Sequence, residues 1–162
     1  MAKKSKNKAV PKKPDFSPTI KNKKARFNFN ILEKFEAGIK LVGTEVKSIR
    51  KGQANLEEAF ARFDDGELFL YGCNINKYEF GNMRNHEPLR TRKLLLHRRE
   101  LLKIEQKVKQ QGITIVPTRF YFLRGMIKVE IATATGKSLH DKRDKLRDRQ
   151  IKMDVAREMK RY

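Results

Sequence analysis

Cysteine, histidine, acid and long apolar runs are all scarce in this chain. The lone Cys73 excludes an internal disulfide framework and any zinc site built from cysteines. The three histidines, His86, His97 and His140, stand at no metal-ligand spacing to one another. No metal and no cofactor is therefore expected. No stretch reaches the about 18 apolar residues that a membrane-spanning helix needs. No apolar signal-peptide core follows the Lys-rich N-terminus, so a cytoplasmic protein without a membrane partner is expected. Acidic residues are a minority, 19 Asp+Glu against 39 Lys+Arg, for a net charge of +20. Self-repulsion on that scale opposes a compact state unless something neutralises it. The isoelectric point near 10.2 is the electrostatic footprint of a nucleic-acid binder. RNA is the expected partner, ahead of a polybasic membrane binder.

The chain divides into three parts. Residues 1–21 carry seven lysines together with Pro11, Pro14 and Pro18, the composition of a disordered basic arm. Residues 22–135 hold nearly all the aromatic and β-branched side chains and are long enough to bury a core. Residues 136–162 form a basic tail. From Leu139 onward no Pro or Gly interrupts it, and Leu146, Ile151, Met153, Val155 and Met159 follow no clean helical stripe. So little apolar area does not offset the entropy of ordering, although the residues are good helix formers. The tail is expected to be disordered alone and helical on a polyanion.

Strand signals dominate the middle part. Phe27, Phe29 and Ile31 alternate with Asn28 and Asn30, as in a half-buried strand. The apolar parity then switches beside Gly43, which predicts a bulge or sharp bend. Asp65-Gly66 and Arg124-Gly125 each separate two strand-like runs and predict hairpins. Pro117 predicts an edge or a bulge in its strand. Asn55, with Glu58 three residues on, predicts a short capped turn of helix. A longer helix is predicted over 98–111, with Leu101, Ile104 and Val108 on its apolar face and Gly112 as its stop. About six strands and two small helices fit an all-β domain, an OB-like antiparallel β-barrel. Periodicity alone leaves an SH3-like barrel or a sandwich open.

Few motifs carry chemistry. Thr135-Gly136-Lys137-Ser138 ends like a P-loop, but Ile131 stands where the first glycine belongs and the surroundings are antiparallel. Gly136 reads instead as a hinge between barrel and tail, with Lys137 within reach of phosphate. Arg84, Arg90, Arg92, Lys93, Arg98, Arg99 and Lys103 surround Leu94-Leu95-Leu96. Such residues contact phosphates, and an outward leucine covers an unstacked base. Of the acidic islands, Glu33 and Glu45 are expected to be solvated or paired. Glu36 precedes Ala37-Gly38, where a ligand can approach the backbone closely. A carboxylate there accepts from base amino groups, although an ion pair is the commoner role. His140 is flat and can stack on a base, although solvent exposure is the commoner state of a histidine in a basic tail. No Ser/His/Asp or Cys/His set marks an enzyme.

Five separated segments resemble one family. They are Asn22-Lys-Lys-Ala-Arg26, Phe35-Glu-Ala-Gly38, Gly43-Thr-Glu-Val-Lys-Ser48, Pro88-Leu-Arg-Thr-Arg-Lys-Leu-Leu-Leu96 and His140-Asp-Lys-Arg143. Together they resemble small protein B, the bacterial SsrA-binding protein, from about residue 20 to the C-terminus. The resemblance implies a non-enzymatic, monomeric RNA-binding protein. Such a protein binds the tRNA-like domain of transfer-messenger RNA (tmRNA) and brings it to stalled ribosomes for trans-translation. It further implies RNA contacts at Asn22, Lys23, Arg26, Glu36, Arg92, Lys93 and Leu95. A tail entering the empty mRNA channel near the decoding centre would use Gly136, Lys137, His140, Asp141, Lys142 and Arg143. Ser138 departs from the family's usual Gly-Lys-Lys. A structural ribosomal protein and an RNA-modifying enzyme are the rival readings.

Overall fold

The computed structural model describes residues 18–82 and 85–159. The basic arm up to residue 17, Arg84 and the last three tail residues lie outside the described residues. Among the described residues there are nine strands and four helices, in the order β1 (Ile20–Lys21), α1 (Lys23–Asn28), β2 (Phe29–Ile39), α2 (Gly43–Arg50), β3 (Ala54–Asn55), β4 (Phe60–Asp64), β5 (Glu67–Tyr71), β6 (Asn74–Ile75), β7 (Arg92–Leu95), α3 (Arg98–Val108), β8 (Ile113–Leu123), β9 (Met126–Gly136) and α4 (Leu139–Glu158).

The pairings run β8-β4-β5-β7-β2-β9 and return from β9 to β8, all antiparallel. That circuit closes a six-stranded barrel, which leaves few edges to template aggregation. β1 lies beside β4 on the outer edge of β8, and β3 pairs with β6 as a separate ribbon. Alternation turns Phe35, Ala37, Leu68, Leu70, Leu94, Ile115, Phe120, Val129 and Ile131 into one buried cluster. α3 closes it with Ile104, Leu101 and Val108.

Both predicted hairpins form. Asp65-Gly66 and Arg124-Gly125 take positive φ at all four residues (47°, 74°, 52° and 79°), the twist that suits a two-residue turn. Pro117 sits at a register shift between β8 and β9, a bulge. The helix predicted from residue 98 starts there and ends at Val108, three residues before the expected end.

Three local expectations are corrected. Phe27 and Asn28 belong to α1, because Asn22 caps that helix by accepting from the Ala25 amide at 2.9 Å, and the strand starts at Phe29. The parity switch at Gly43 marks the start of α2, a helix and not a bent strand. The Glu45 carboxylate accepts from the Val42 amide at 2.8 Å, and Val46 and Ile49 follow a helical period. Asn55 does cap a turn, accepting from the Glu57 amide at 2.9 Å, but it lies in β3 and no helix follows.

Candidate nucleic-acid interface

The outer faces of β7, β2, β9 and β8 form one continuous surface. Register aligns Leu95, Gly38, Lys128 and Tyr121 in one row across the four strands. The next row holds Glu36, Glu130 and Arg119. A Cβ on Gly38 would meet Leu95 Cβ at 3.3 Å, so glycine at that position lets the Leu95 side chain lie over β2. Leu95 stays 51% exposed there. It lines a groove of about 710 Å³ with Glu36, Ile39, Met126 and Lys128 among others. The structure thus brings Glu36 and Leu95, 59 residues apart in sequence, into one site.

The Glu36 carboxylate accepts from the Tyr121 hydroxyl and pairs with Lys128 at 3.3 Å. The Tyr121 bond, with a smaller contribution from Lys128, holds its pKa below the ordinary value despite some desolvation. Tyr121 is pushed up to about 12, first by burial and then by donating to Glu36. The pair presents a fixed anion in a basic surface, already aimed outward.

Beside this groove lies a basic cleft of about 410 Å³, lined by Lys21, Lys23, Arg26, Lys34 and Arg119 around Glu130. Lys23 and Arg26, expected at the RNA surface, both line it. Glu130 accepts from Thr118 Oγ1 at 2.6 Å and from Arg119 Nη2 at 2.8 Å, and pairs with Lys34 at 3.0 Å. Burial pushes its pKa up, but these bonds outweigh it and bring it to about 2. The folded value lies below the ordinary 4.5, so the bonds stabilise the fold above that pH. That stability is lost as pH falls through the window from about 4.5 towards 2. Glu130→Gln is expected to be less stable at neutral pH and to lose less in that window. Urea titrations at neutral and acid pH check this.

Two of the expected contact residues are buried. Arg92 is 0% exposed. Its Nε donates to Glu45 at 2.8 Å, Nη1 to the carbonyls of Cys73 (2.6 Å) and Arg90 (2.9 Å), and Nη2 to that of Pro88 (2.9 Å). Strand parity explains it: Arg92 and Leu94 face inward, Lys93 and Leu95 outward. Asn22 is likewise buried. Its Nδ2 donates to the carbonyls of Leu56 (2.6 Å) and Pro117 (3.0 Å) while its Oδ1 caps α1. It caps the helix that carries Lys23 and Arg26, and it also contributes to the lining of the cleft. Lys93 remains at the surface, paired with Glu67.

At the tail, Gly136 is the last paired residue of β9, opposite Phe29. An added Cβ there would meet nothing within 4 Å, so no close contact requires glycine at that position. Lys137 is tied to the barrel, its amide to the Asn28 carbonyl at 2.9 Å and its Nζ to the Arg26 carbonyl at 3.1 Å. Ser138, at the position of the missing family lysine, is the N-cap of α4. Its Oγ accepts from the Asp141 amide and its own amide donates to Asp141 Oδ2, both at 3.2 Å. This reciprocal cap satisfies two donors at the helix start. His140, Asp141, Lys142 and Arg143 follow in the first turns, and every described side chain of α4 is exposed. With its described side chains exposed, the helix draws on its cap for stability. Ser138→Ala is expected to cost about 1 kcal/mol of helix stability. It should lower tail helicity measured by amide chemical shifts and leave barrel signals unmoved.

The sequence reading missed Tyr121, Lys128, Lys34, Arg119 and Glu130. The signal was present in the hairpin: a two-residue turn at Arg124-Gly125 sets Tyr121 opposite Lys128 and Arg119 opposite Glu130. Among the described residues no group of His, Cys, Asp and Glu is arranged to hold a metal ion. None of the described helices is long and apolar enough to cross a membrane.

A small closed barrel whose outer face interleaves cations, fixed carboxylates and an exposed leucine is built as an RNA-binding module. Comparison with known proteins narrows the class. The family model described as SmpB protein matches residues 19–161. SsrA-binding proteins of Trichormus variabilis and Thermosipho africanus are 54% and 50% identical over 142 and 141 residues, covering 87% and 86% of this chain and 92% and 95% of theirs. A solved structure described as "tmRNA-SmpB: a journey to the center of the bacterial ribosome" is 48% identical, with a TM-score of 0.65 over 76% of this chain and 87% of that one. The chain belongs to the SmpB family of SsrA-binding proteins.

Proposed function

We propose that this protein binds the tRNA-like domain of tmRNA with the outer face of β7, β2, β9 and β8. It then delivers that RNA to ribosomes stalled on messages without a stop codon, for trans-translation. The observation that carries the reading is the single surface joining Glu36 and Leu95 to the Lys23 and Arg26 cleft. Leu95 covers an unstacked base, Glu36 accepts from base amino groups, and Lys23, Arg26 and Lys93 take phosphates. Asn22 fixes the start of α1 from inside. The work is binding and delivery, with no catalytic step, in the cytoplasm where ribosomes operate.

α4 is the ribosomal element. Gly136 and Lys137 hold its root to the barrel, and His140, Asp141, Lys142 and Arg143 enter the empty mRNA channel near the decoding centre. The His140 ring stacks on a base, Lys142 and Arg143 meet rRNA phosphates, and Asp141 keeps the helix capped. An mRNA-filled channel leaves no room for such a helix, which makes stalled ribosomes the selective target.

Ribosome profiles distinguish this role from that of a structural ribosomal protein. Enrichment on ribosomes stalled at a message end, with little on translating ones, is the expected result. Equal, stoichiometric retention on both would contradict it.

A further inference from the structure

The segment between β6 and β7 carries an aromatic pair outside the surface described above. Phe80 is 74% exposed. Its ring meets that of Tyr78 edge-on, with centroids 5.6 Å apart and planes at 65°. Lys47 on α2 and Lys51, the residue that caps its C-terminus, place their ammonium groups 5.2 and 5.1 Å from the Tyr78 ring centre. Lys51 also lies 5.2 Å from that of Phe80.

The pair is held firmly. Asn85 Oδ1 accepts from the amides of Tyr78 and His86, both at 3.1 Å, and its Nδ2 donates to the Tyr78 carbonyl at 2.7 Å. A Cβ on Gly81 would strike that Nδ2 at 2.6 Å, so glycine there admits the staple. The buried His86 ring lies 2.9 Å from Thr44 Oγ1 and 3.0 Å from the Ile75 carbonyl, tying the segment to the start of α2. Glu79 pairs with Lys51 at 2.8 Å and offsets one of the two cations.

Fixing a large aromatic ring in water adds nothing to the core. Cations ranged beside it suit a ligand with both negative charge and flat faces, which is nucleic acid. Base–aromatic stacking tolerates any sequence, because every base has a π-face. We propose that Phe80, backed by Tyr78 and flanked by Lys47 and Lys51, is a stacking platform for an unpaired RNA nucleotide, with the ammonium groups meeting its phosphates. The site lies apart from the outer face of the barrel and does not depend on which RNA that face takes.

The chain has no tryptophan, so Phe80→Trp installs a single indole reporter at an exposed position. The full chain would be titrated with single-stranded hexaadenylate and, separately, with inorganic polyphosphate, at about 50 mM salt where phosphate contacts are strong. Hexaadenylate is expected to quench the indole and polyphosphate to leave it unchanged. Adding Lys47→Ala should make the salt dependence of the indole signal shallower by about one unit of slope. Adding Glu36→Arg should not alter it. An indole silent to hexaadenylate, or equally responsive to polyphosphate, overturns the platform. If the tRNA-like domain still binds in that case, the platform alone fails and the proposed function stands.

Discussion

Ending the chain after Lys137 is expected to abolish rescue of stalled ribosomes while leaving affinity for the tRNA-like domain nearly intact. Among the described residues none of the buried core lies beyond Ala134, and Lys137 keeps its bonds to the Asn28 and Arg26 carbonyls. The cut removes α4, whose described side chains are all exposed. It also removes cations, so the salt dependence of RNA binding should become shallower. Tagging of incomplete peptides in a reconstituted translation system should fall to background. Tagging by the shortened chain at the native level would contradict the division of labour between barrel and tail. Loss of RNA binding would contradict it equally.

The largest expected effect on stability comes from Arg92→Ala. Glu45 is fully buried and accepts from the Val42 amide, from Arg90 and from Arg92. Desolvation raises its pKa, but these bonds win and keep it below the ordinary value. Removing Arg92 takes away one of the two counter-charges, leaves the Cys73 carbonyl without the donor it now has, and reduces the Pro88 carbonyl to its bond from the Ile75 amide. Breaking a buried pair in this way costs roughly 3–5 kcal/mol. That is a large share of the about 5–15 kcal/mol that holds a domain folded. A melting temperature lower by roughly 10–20 °C is expected by calorimetry. Lys93→Ala, on the outward parity, should change it by about 1–2 °C, as exposed pairs contribute little. An Arg92→Ala chain as stable as the native one would show that Arg92 is a surface residue after all.

That contrast also shows what the sequence disclosed. The hairpins at Asp65-Gly66 and Arg124-Gly125 were legible because a two-residue turn between strand-like runs leaves the chain one geometry. α3 was legible from a strong helical period, although it ends at Val108, short of the Gly112 stop. α1 and α2 were not, because each is short and depends on one capping side chain, Asn22 and Glu45. The apolar residues around them also mimic strand alternation. Arg92 looked like its basic neighbours, since the parity of Arg92–Leu95 is fixed only by pairing with β2 and β5. Its partner Glu45 is remote in sequence, and no local pattern joins them. Glu36 and Leu95 were named through the family resemblance, whereas the row that links them, Gly38, Lys128 and Tyr121, follows from strand register. The tail's composition pointed to a helix former without a core. Ser138 was noticed as a missing lysine, and its capping role emerges only from the geometry of α4.

The most direct test of the RNA-binding account is a titration of tmRNA at near-physiological salt against excess ordinary tRNA, with the native chain and with Glu36→Arg. Reversing that charge puts a cation beside Lys128 and removes the acceptor that Tyr121 and Lys128 hold in place. Selective binding by the native chain, weakened at least about tenfold in the variant as for a lost charged hydrogen bond, is the expected result. Equal and steeply salt-sensitive binding of both RNAs by both chains would contradict it and mark a generic basic protein.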